Sequence, residues 1–462
     1  MYANDTEFWE SSSRLRHIRD TARCERAAPW AVLPAVLARV SVAIPPNVVV
    51  PAFVGGEYGS LNMFVAIVGG SSDGKGVAVG CARRLVPDIL DAVTTLPVSG
   101  EGLPTMFARR EPVDGGAGDA KHTVLKCVNC RALLDVPEVS VLGAAMGRTG
   151  STLLGTLTSV WSGEALGGQN VGETKRLRVP SYGYRVALTT GVQPGNSDML
   201  TREDVTGLPQ RILWGTTRDP DAPETRPDGP AGAFGFDTKA LAGIQPDAMT
   251  LNGLYQNGNY WTYRNENDTL AYPLEILKYP PEVRDEVDRD AYARLHGTRP
   301  AGMDGHSLFL SIKVAGVLAV MEQRSGHEYE VTVDDWERAK YITARSRQFR
   351  EECINTGRRE RRGKRRDALA DELVAKDEAQ ELAAREKAER DHRRYAQRIT
   401  KQLRDRDGRH EGITGTELKR FTGLLADNIY PALQRMFDEG QLEKTGPDTG
   451  RPQSQLWALP SA

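Results

Sequence analysis

The chain has 462 residues, 39% of them hydrophobic, which is enough for about three domains and a sizeable core. A formal net charge of −2 excludes a globally basic nucleic-acid coat but not local basic patches. The five cysteines indicate reduced thiols, and no apolar run approaches the ~18 residues of a membrane span, so we expect a cytoplasmic protein without a membrane partner.

The chain opens with an acidic, polar stretch unlike a signal peptide. Residues 7–42 carry an approximate apolar stripe that predicts helices, and Pro45 and Pro46 end it. We therefore predict an N-terminal helical segment over residues 1–55.

The most informative segment follows. Residues 64–68 form an apolar run typical of a buried strand, residues 69–75 read G-x-x-x-x-G-K, and residues 77–91 suit a helix. Strand, glycine loop, lysine and helix in this order predict a phosphate cradle, whereas a glycine-rich turn alone would bind nothing. The predicted nucleotide contacts are Gly69, Gly70, Ser71, Ser72, Asp73, Gly74, Lys75, Gly76 and Val77. Gly76 stands where a Ser or Thr normally binds Mg²⁺.

Strand and helix patterns then alternate as far as residue 218, which predicts an α/β domain with a mainly parallel sheet over residues 56–218. Nucleotide hydrolysis also needs carboxylates for Mg²⁺ and for water. Asp135 ends an apolar strand and is predicted to hold Mg²⁺ through water. Glu101, expected after the strand beside the P-loop, and Glu138 are alternative water-orienting groups.

Two further polar residues lie near predicted strand ends. Gln193 follows the fourth strand and is predicted to sense the terminal phosphate. Arg211 comes just before the fifth strand and is predicted to stabilise phosphate charge in cis or in trans, with a surface arginine as the alternative.

Basic residues between Asp135 and Gln193 are candidates for a channel that grips single-stranded nucleic acid, although they suit a solvated loop as well. They are Arg148, Lys175, Arg176 and Arg178. Cys127 and Cys130 with His122 have no second ligand pair at suitable spacing, so we expect core or turn cysteines rather than zinc.

The remaining chain changes character three times. Residues 219–350 predict an irregular, partly helical extension, and residues 351–398 a charged helical linker. Residues 399–462 predict a winged helix-turn-helix, because two short helices precede a hairpin with a Gly/Pro tip. Its candidate phosphate contacts are Lys419, Arg420, Lys444 and Arg451, while an acidic second helix suits protein contact instead.

Taken together, the P-loop and the collinear segments Gly100-Glu-Gly-Leu, Leu134-Asp-Val-Pro-Glu, Gln193-Pro and Leu208-Pro-Gln-Arg resemble the RecA-like ATPases of phages and mobile elements that are related to hexameric replicative helicases. The resemblance covers roughly residues 7–345. It implies a RecA-like P-loop NTPase core, ATP, Mg²⁺, DNA and a hexameric ring, with a primase-polymerase as a possible partner.

The sequence thus predicts an ATP-dependent, helicase-like ATPase in replication of a phage, prophage or mobile element, with single-stranded DNA in a channel and duplex DNA at the winged helix. The alternative is a DNA-binding initiator or regulator that uses ATP as a switch without unwinding. Gly76 and the C-terminal domain both suit that alternative.

Overall fold

The computed structural model describes residues 2–54, 56–87, 89, 92–112, 123–167, 177–201, 207–230, 232–238, 241, 274–299 and 305–461. The chain forms two compact units, Met1–Arg361 and Arg362–Ala462. None of the helices in these ranges combines the length and the apolarity needed to cross a lipid bilayer.

The first unit contains twelve described strands and the start of the longest helix. The strands are β1 (Val48–Val50), β2 (Gly59–Ser60), β3 (Met63–Val68), β4 (Ala92–Thr95), β5 (Ala108–Pro112), β6 (Thr123–Cys127), β7 (Arg131–Val136), β8 (Leu166–Gly167), β9 (Arg178–Val179), β10 (Arg185–Val192), β11 (Ile212–Thr216) and β12 (Glu275–Ile276). The helices are α1 (Asp5–Glu10), α2 (Ser13–Cys24), α3 (Pro29–Ala43), α4 (Lys75–Leu85), α5 (Val139–Met146), α6 (Leu153–Ser162), α7 (Asp198–Thr201), α8 (Leu208–Arg211), α9 (Pro281–Leu295), α10 (Ser307–Glu322) and α11 (Val333–Arg406).

A five-stranded sheet organises this unit. Its strand order is β11-β3-β10-β7-β4, and every neighbouring pair is parallel. The predicted α/β class with a mainly parallel sheet is therefore confirmed, and the order is compatible with a RecA-like core. Val68 pairs with both Val192 and Thr216, so the carboxyl ends of β3, β10 and β11 meet at one edge.

The sheet is buried because helices cover it. All six residues of β3 and all eight of β10 are buried, as expected for a parallel sheet covered on both faces. Helix α3 is buried along its whole length, and it packs on α4, β3 and β10. A helix that is apolar on every side belongs inside a core, so the N-terminal segment is part of the packed core.

Helix α11 runs unbroken from Val333 to Arg406, across the boundary near residue 350 that the sequence predicted between the partly helical extension and the charged helical linker. Gly357 does not end the helix, because it lies against the turn at Pro194. A Cβ at Gly357 would overlap the carbonyl oxygen of Pro194, and Arg361 Nη1 donates to the carbonyl of Gly195 at 3.0 Å. The glycine therefore permits close packing that offsets its low helix propensity.

The second unit contains β13 (Ile413–Thr414), α12 (Gly415–Thr422), α13 (Ala426–Asp438), β14 (Glu443–Thr445) and β15 (Leu456–Ala458). Thr414 and Glu417 form a capping box that starts α12, and β14 and β15 form an antiparallel hairpin that β13 joins. Leu403, Leu433 and Trp457 belong to its own apolar core. Helices and hairpin occur in the predicted order, and the assignment as a winged helix stays a proposal.

Candidate nucleotide-binding site

The glycine loop joins the carboxyl end of β3 to the first turn of α4. Ser72 (φ 65°) and Gly74 (φ 82°) both adopt the left-handed conformation, and Gly70 N–H donates to Asp73 Oδ2 at 2.7 Å. Gly74 is the N-cap of α4 and provides no side-chain cap. The N–H groups in the first turn of this 11-residue helix therefore lie at the loop with no side chain capping them. This arrangement favours the binding of an anion.

Lys75 lies across this loop. Its Nζ donates to the carbonyls of Gly69 (3.1 Å) and Gly70 (2.7 Å), and it lies 3.2 Å from Glu138 Oε1. The stem of Lys75 passes over Gly191 of β10, where a Cβ would lie 3.1 Å from Lys75 Cε. Glycine at position 191 therefore leaves the space in which the lysine lies.

Two carboxylates lie in the same cavity as the lysine, one on β7 and one in the segment after it. Asp135 is the penultimate residue of β7, and Glu138 immediately precedes α5. Both line a cavity of about 370 Å³ together with Lys75 and Gly76. Asp135 Oδ2 is 3.9 Å from Arg83 Nη2, and the buried Glu138 Oε2 has no hydrogen-bond partner among the described residues.

These residues fit a magnesium nucleotide. Carboxylate oxygens are the ligands that Mg²⁺ takes from proteins, and Asp135 and Glu138 supply them beside the phosphate loop. Gly76 contributes no hydroxyl, but a Cβ built there meets nothing within 4 Å. The position therefore has room for the missing side chain.

Glu101 was expected at the end of a strand beside the P-loop, and that placement is wrong. The strand before it, β4, pairs with β7 at the edge of the sheet, whereas β10 and β11 flank β3. Glu101 is exposed and accepts from Thr152 Oγ1 at 2.6 Å, and this hydrogen bond lowers the pKa of its carboxyl. Of the two alternative carboxylates, Glu138 is the one beside Lys75; the water-orienting role of either stays a prediction.

Gln193 lies where the sequence put it, directly after β10. The carbonyl of the preceding Val192 accepts from Gly69 N–H at 3.1 Å, which fixes Gln193 next to the loop. A role as phosphate sensor stays a prediction.

Arg211 lies at the amino ends of the parallel strands, on the opposite side of the sheet's length from the P-loop. Ile212 pairs with Phe64, about 13 Å along the strand from Val68 at a rise of ~3.3 Å per residue. The Arg211 guanidinium lies 5.4 Å from the centre of the Trp161 ring, and burial lowers its pKa. The expectation that Arg211 serves this phosphate site in cis is therefore wrong, because the residue precedes β11 instead of following it. A role in trans stays a prediction.

The predicted DNA contacts are spread over both units. Arg148 and Arg178 are exposed, while Lys175 and Arg176 lie outside the described residues. In the second unit Arg420 and Arg451 are exposed and Lys419 is half-buried. Lys444 is already partnered: its Nζ is 3.4 Å from Asp448 and 4.8 Å from the centre of the Phe437 ring.

Of the two cysteines and the histidine considered for zinc, the structure describes only the side chain of Cys130, so the expectation of core or turn cysteines stays a prediction. Cys130 is buried, and the side chains of Cys127 and His122 lie outside what the structure describes. Among the described residues, no group of three or more His, Cys, Asp or Glu side chains is placed to hold a metal ion.

Sequence reasoning missed three residues at this site. Arg83 reaches Asp135 from two turns along α4, Gly191 lies under Lys75, and Arg218 follows the carboxyl end of β11. Only Arg218 carried a signal, because the rule that selected Gln193 applies to every strand end at this edge. The other two depend on side-chain packing across the sheet.

No family model and no curated protein matches the chain. Among solved structures, one match is titled "SCCmec type IV Cch - active helicase"; it is 10% identical with a TM-score of 0.22, and the match covers 92% of this chain and 67% of that chain. Similarity at this level supports no conclusion about fold or function, which therefore rest on the geometry above.

Proposed function

We propose that this protein is a P-loop nucleoside triphosphatase that binds ATP with Mg²⁺ and acts on DNA as a helicase-like motor. One observation carries the proposal: Lys75, Asp135 and Glu138 line a single cavity at the carboxyl edge of a parallel sheet, directly after a glycine loop. Lysine, metal-binding carboxylate and second carboxylate are the parts that nucleotide hydrolysis requires.

Each residue has a defined task in this proposal. The first-turn amides of α4 and Lys75 hold the phosphates, and Asp135 holds the metal through water. When bound, Mg²⁺ supplies charge that neutralises the phosphate oxygens. Glu138 orients water and accepts its proton. The ion pair between Lys75 and Glu138 links two of these tasks, because a lysine that turns to phosphate leaves Glu138 without that cation.

The DNA-directed part of the proposal rests on exposed basic residues. Arg148 and Arg178 suit contacts with a single strand in the channel of a hexameric ring, and Arg420 and Arg451 suit duplex DNA at a winged helix. A primase-polymerase partner and a role in replication of a mobile element extend the same proposal.

A second candidate is an initiator or regulator for which ATP is an assembly switch. Gly76 favours it, since a loop without the metal-binding hydroxyl is suited to hold a nucleotide and hydrolyse it slowly.

The test is ATP hydrolysis by the full chain with and without single-stranded DNA. We expect stimulation by DNA in the wild type and loss of hydrolysis in Lys75→Ala. The control Lys278→Ala removes a lysine that is 75% exposed and pairs with Glu330, and it should leave the rate unchanged. Equal rates in the wild type and Lys75→Ala would overturn the proposal. Strand displacement with ATP but not with a non-hydrolysable analogue separates the motor from the switch.

A further inference from the structure

Two more cavities open at the same sheet edge, on the β11 side of the P-loop. The smaller, about 50 Å³, is lined by Gly69, Gly70 and Asp73 of the loop. The larger, about 550 Å³, is lined by Trp30 and Arg345 among others. Both cavities are lined by Thr216, Arg218, Phe349 and Glu352. The two cavities therefore adjoin, and the smaller one lies between the phosphate loop and the larger one; together they are called the crevice below.

The position of the hydrolytic residues sets the direction in which a nucleotide leaves the loop. Lys75 lies over Gly191 of β10, and Asp135 belongs to β7, so the metal and terminal-phosphate side faces β10 and β7. A nucleotide with its terminal phosphate on that side extends its ribose and base the opposite way. In the strand order the opposite neighbour of β3 is β11, whose carboxyl end opens into the crevice.

The side chains of the larger cavity suit a base better than more phosphate. Trp30 and Phe349 line the cavity with a small exposed fraction, 7% and 5%, and the Arg345 guanidinium lies 5.5 and 4.9 Å from their ring centres, so the planar group next to the cavity is that guanidinium. Most of the charges there are already paired: Arg23 lies 2.8 Å from Asp219, and Arg345 3.2 Å from Asp5.

Three exposed groups remain available to a ligand. The side chains of Arg218, Asp221 and Glu352 form no ion pair within the part of the chain that the structure describes. A carboxylate accepts hydrogen bonds from an exocyclic amine, and a guanidinium donates to ribose hydroxyls or stacks on a ring.

We infer that the larger cavity binds the base and ribose of the nucleotide whose phosphates the P-loop holds, and that Glu352 and Arg218 are its polar contacts. The base carries an exocyclic amine, as the adenine of ATP does. This inference rests on the proposed function. Phe349 and Glu352 are three residues apart on α11 and share a face, so this helix would contact the base directly.

The test measures binding of ATP and of inorganic tripolyphosphate, each with Mg²⁺, by calorimetry. We expect Glu352→Gln and Arg218→Ala each to weaken ATP binding about 5- to 20-fold and to leave tripolyphosphate within about twofold, since only ATP reaches the cavity. The control Glu351→Gln changes an exposed neighbour outside the cavity lining and should alter neither ligand. Purine riboside triphosphate, which lacks the amine, should bind the wild type more weakly than ATP, and Glu352→Ala, which removes the acceptor altogether, should bind the two nucleotides equally.

Two results would overturn the inference: unchanged ATP affinity in both variants, or equal weakening of ATP and tripolyphosphate. Lys75→Ala keeps this outcome separate from the proposed function. If Lys75→Ala loses both ligands while the cavity variants bind normally, the P-loop assignment stands and the base site is wrong. If Lys75→Ala binds both ligands normally, the phosphate site itself is wrong.

Discussion

The two edges of the central sheet use positive charge in different ways. At the carboxyl edge, Lys75 and Arg83 lie next to carboxylates that line an open cavity. At the amino edge, Arg185 and Lys313 are fully buried and bond mainly to backbone carbonyls. A cation held by carbonyls in the core serves the fold, whereas a cation beside an accessible carboxylate can exchange that partner for a ligand.

The amino edge also explains Arg211. It lies near Trp161, to whose ring centre Lys313 Nζ is only 3.6 Å distant, and near His306. Burial lowers the pKa of both Arg211 and Lys313. An arginine just before a strand of this sheet therefore lies at the amino edge, where it suits a structural role. An arginine just after a strand lies at the carboxyl edge, where it can contact a ligand.

Arg185→Met tests the structural edge and has the largest expected effect. Arg185 donates to the carbonyls of Pro45 and Val48, both at 2.7 Å, and to Ser60 Oγ at 2.8 Å. Losing these donors inside the core should lower the free energy of unfolding by about 3–5 kcal/mol. Urea denaturation measures it, with the exposed Arg148→Met as control, expected to change stability by less than ~0.5 kcal/mol. A small loss of stability in Arg185→Met would contradict the structural role that distinguishes the buried cations of the amino edge from those of the carboxyl edge.

Asp135→Asn tests the functional edge. The substitution removes the charge that we propose holds Mg²⁺, and the side chain is partly exposed, so the fold should keep its stability. Hydrolysis should fall about 100-fold while ATP binding changes much less, because the metal acts mainly in the transition state. Single-turnover hydrolysis and nucleotide titration measure the two effects. Equal losses in both would mean that Asp135 acts in ground-state binding.

Acid should weaken the amino edge through His306. Burial, together with Arg211, Arg299 and Lys313, lowers the pKa of His306 to about 4 from its usual 6.5. The unfolded chain therefore takes up a proton between pH 6.5 and 4 that the folded chain does not, and stability falls as pH falls through that window. The full shift corresponds to about 3 kcal/mol by pH 4, and because solvent screens a partly exposed ring we expect a loss of about 2 kcal/mol. The urea midpoints of the wild type and His306→Asn, measured at pH 7 and pH 4.5, isolate the contribution of His306. An equal decrease in the midpoints of both proteins on acidification would contradict the prediction.

Gly76→Ser has the smallest expected effect and sharpens the functional edge. The added hydroxyl enters open space beside Asp135 and supplies the oxygen that the loop lacks. The Mg²⁺ concentration for half-maximal hydrolysis should fall roughly threefold to tenfold, about 1 kcal/mol. Gly155→Ser is a matched control, since its Cβ also meets nothing within 4 Å but lies on α6, outside the cavity. An unchanged magnesium requirement would place the metal away from residue 76.

Local sequence was sufficient to predict the strand–loop–helix around Lys75, because motif spacing and buried strand patterns are local properties. It also selected Asp135 and Glu138, which line the cavity beside that loop. Strand order is not local. Within the five-stranded sheet, β4 is the second strand along the chain, yet it lies at the sheet edge because β10 inserts between β3 and β7. Glu101 could therefore not be placed correctly from its own segment.

The extent of helix α11 could not be predicted from its own segment for a related reason. Gly357 weakens a helix when considered alone, and only its contact with Pro194, 163 residues away in sequence, explains why α11 continues. Arg83 and Gly191 likewise gain their significance from neighbours across the sheet. Tertiary packing outweighed local propensity at each of these positions.

The contact between Gly357 and Pro194 has a mechanical consequence. The two backbones touch with no side chain between them, and the hydrogen bond from Arg361 to Gly195 fastens the same turn to α11. A side chain in that gap would absorb a small displacement by changing rotamer, but close-packed backbone has no such compliance. Any shift of the turn after Gln193 must therefore either be resisted by α11 or move it, so this turn and the helix are stiffly joined.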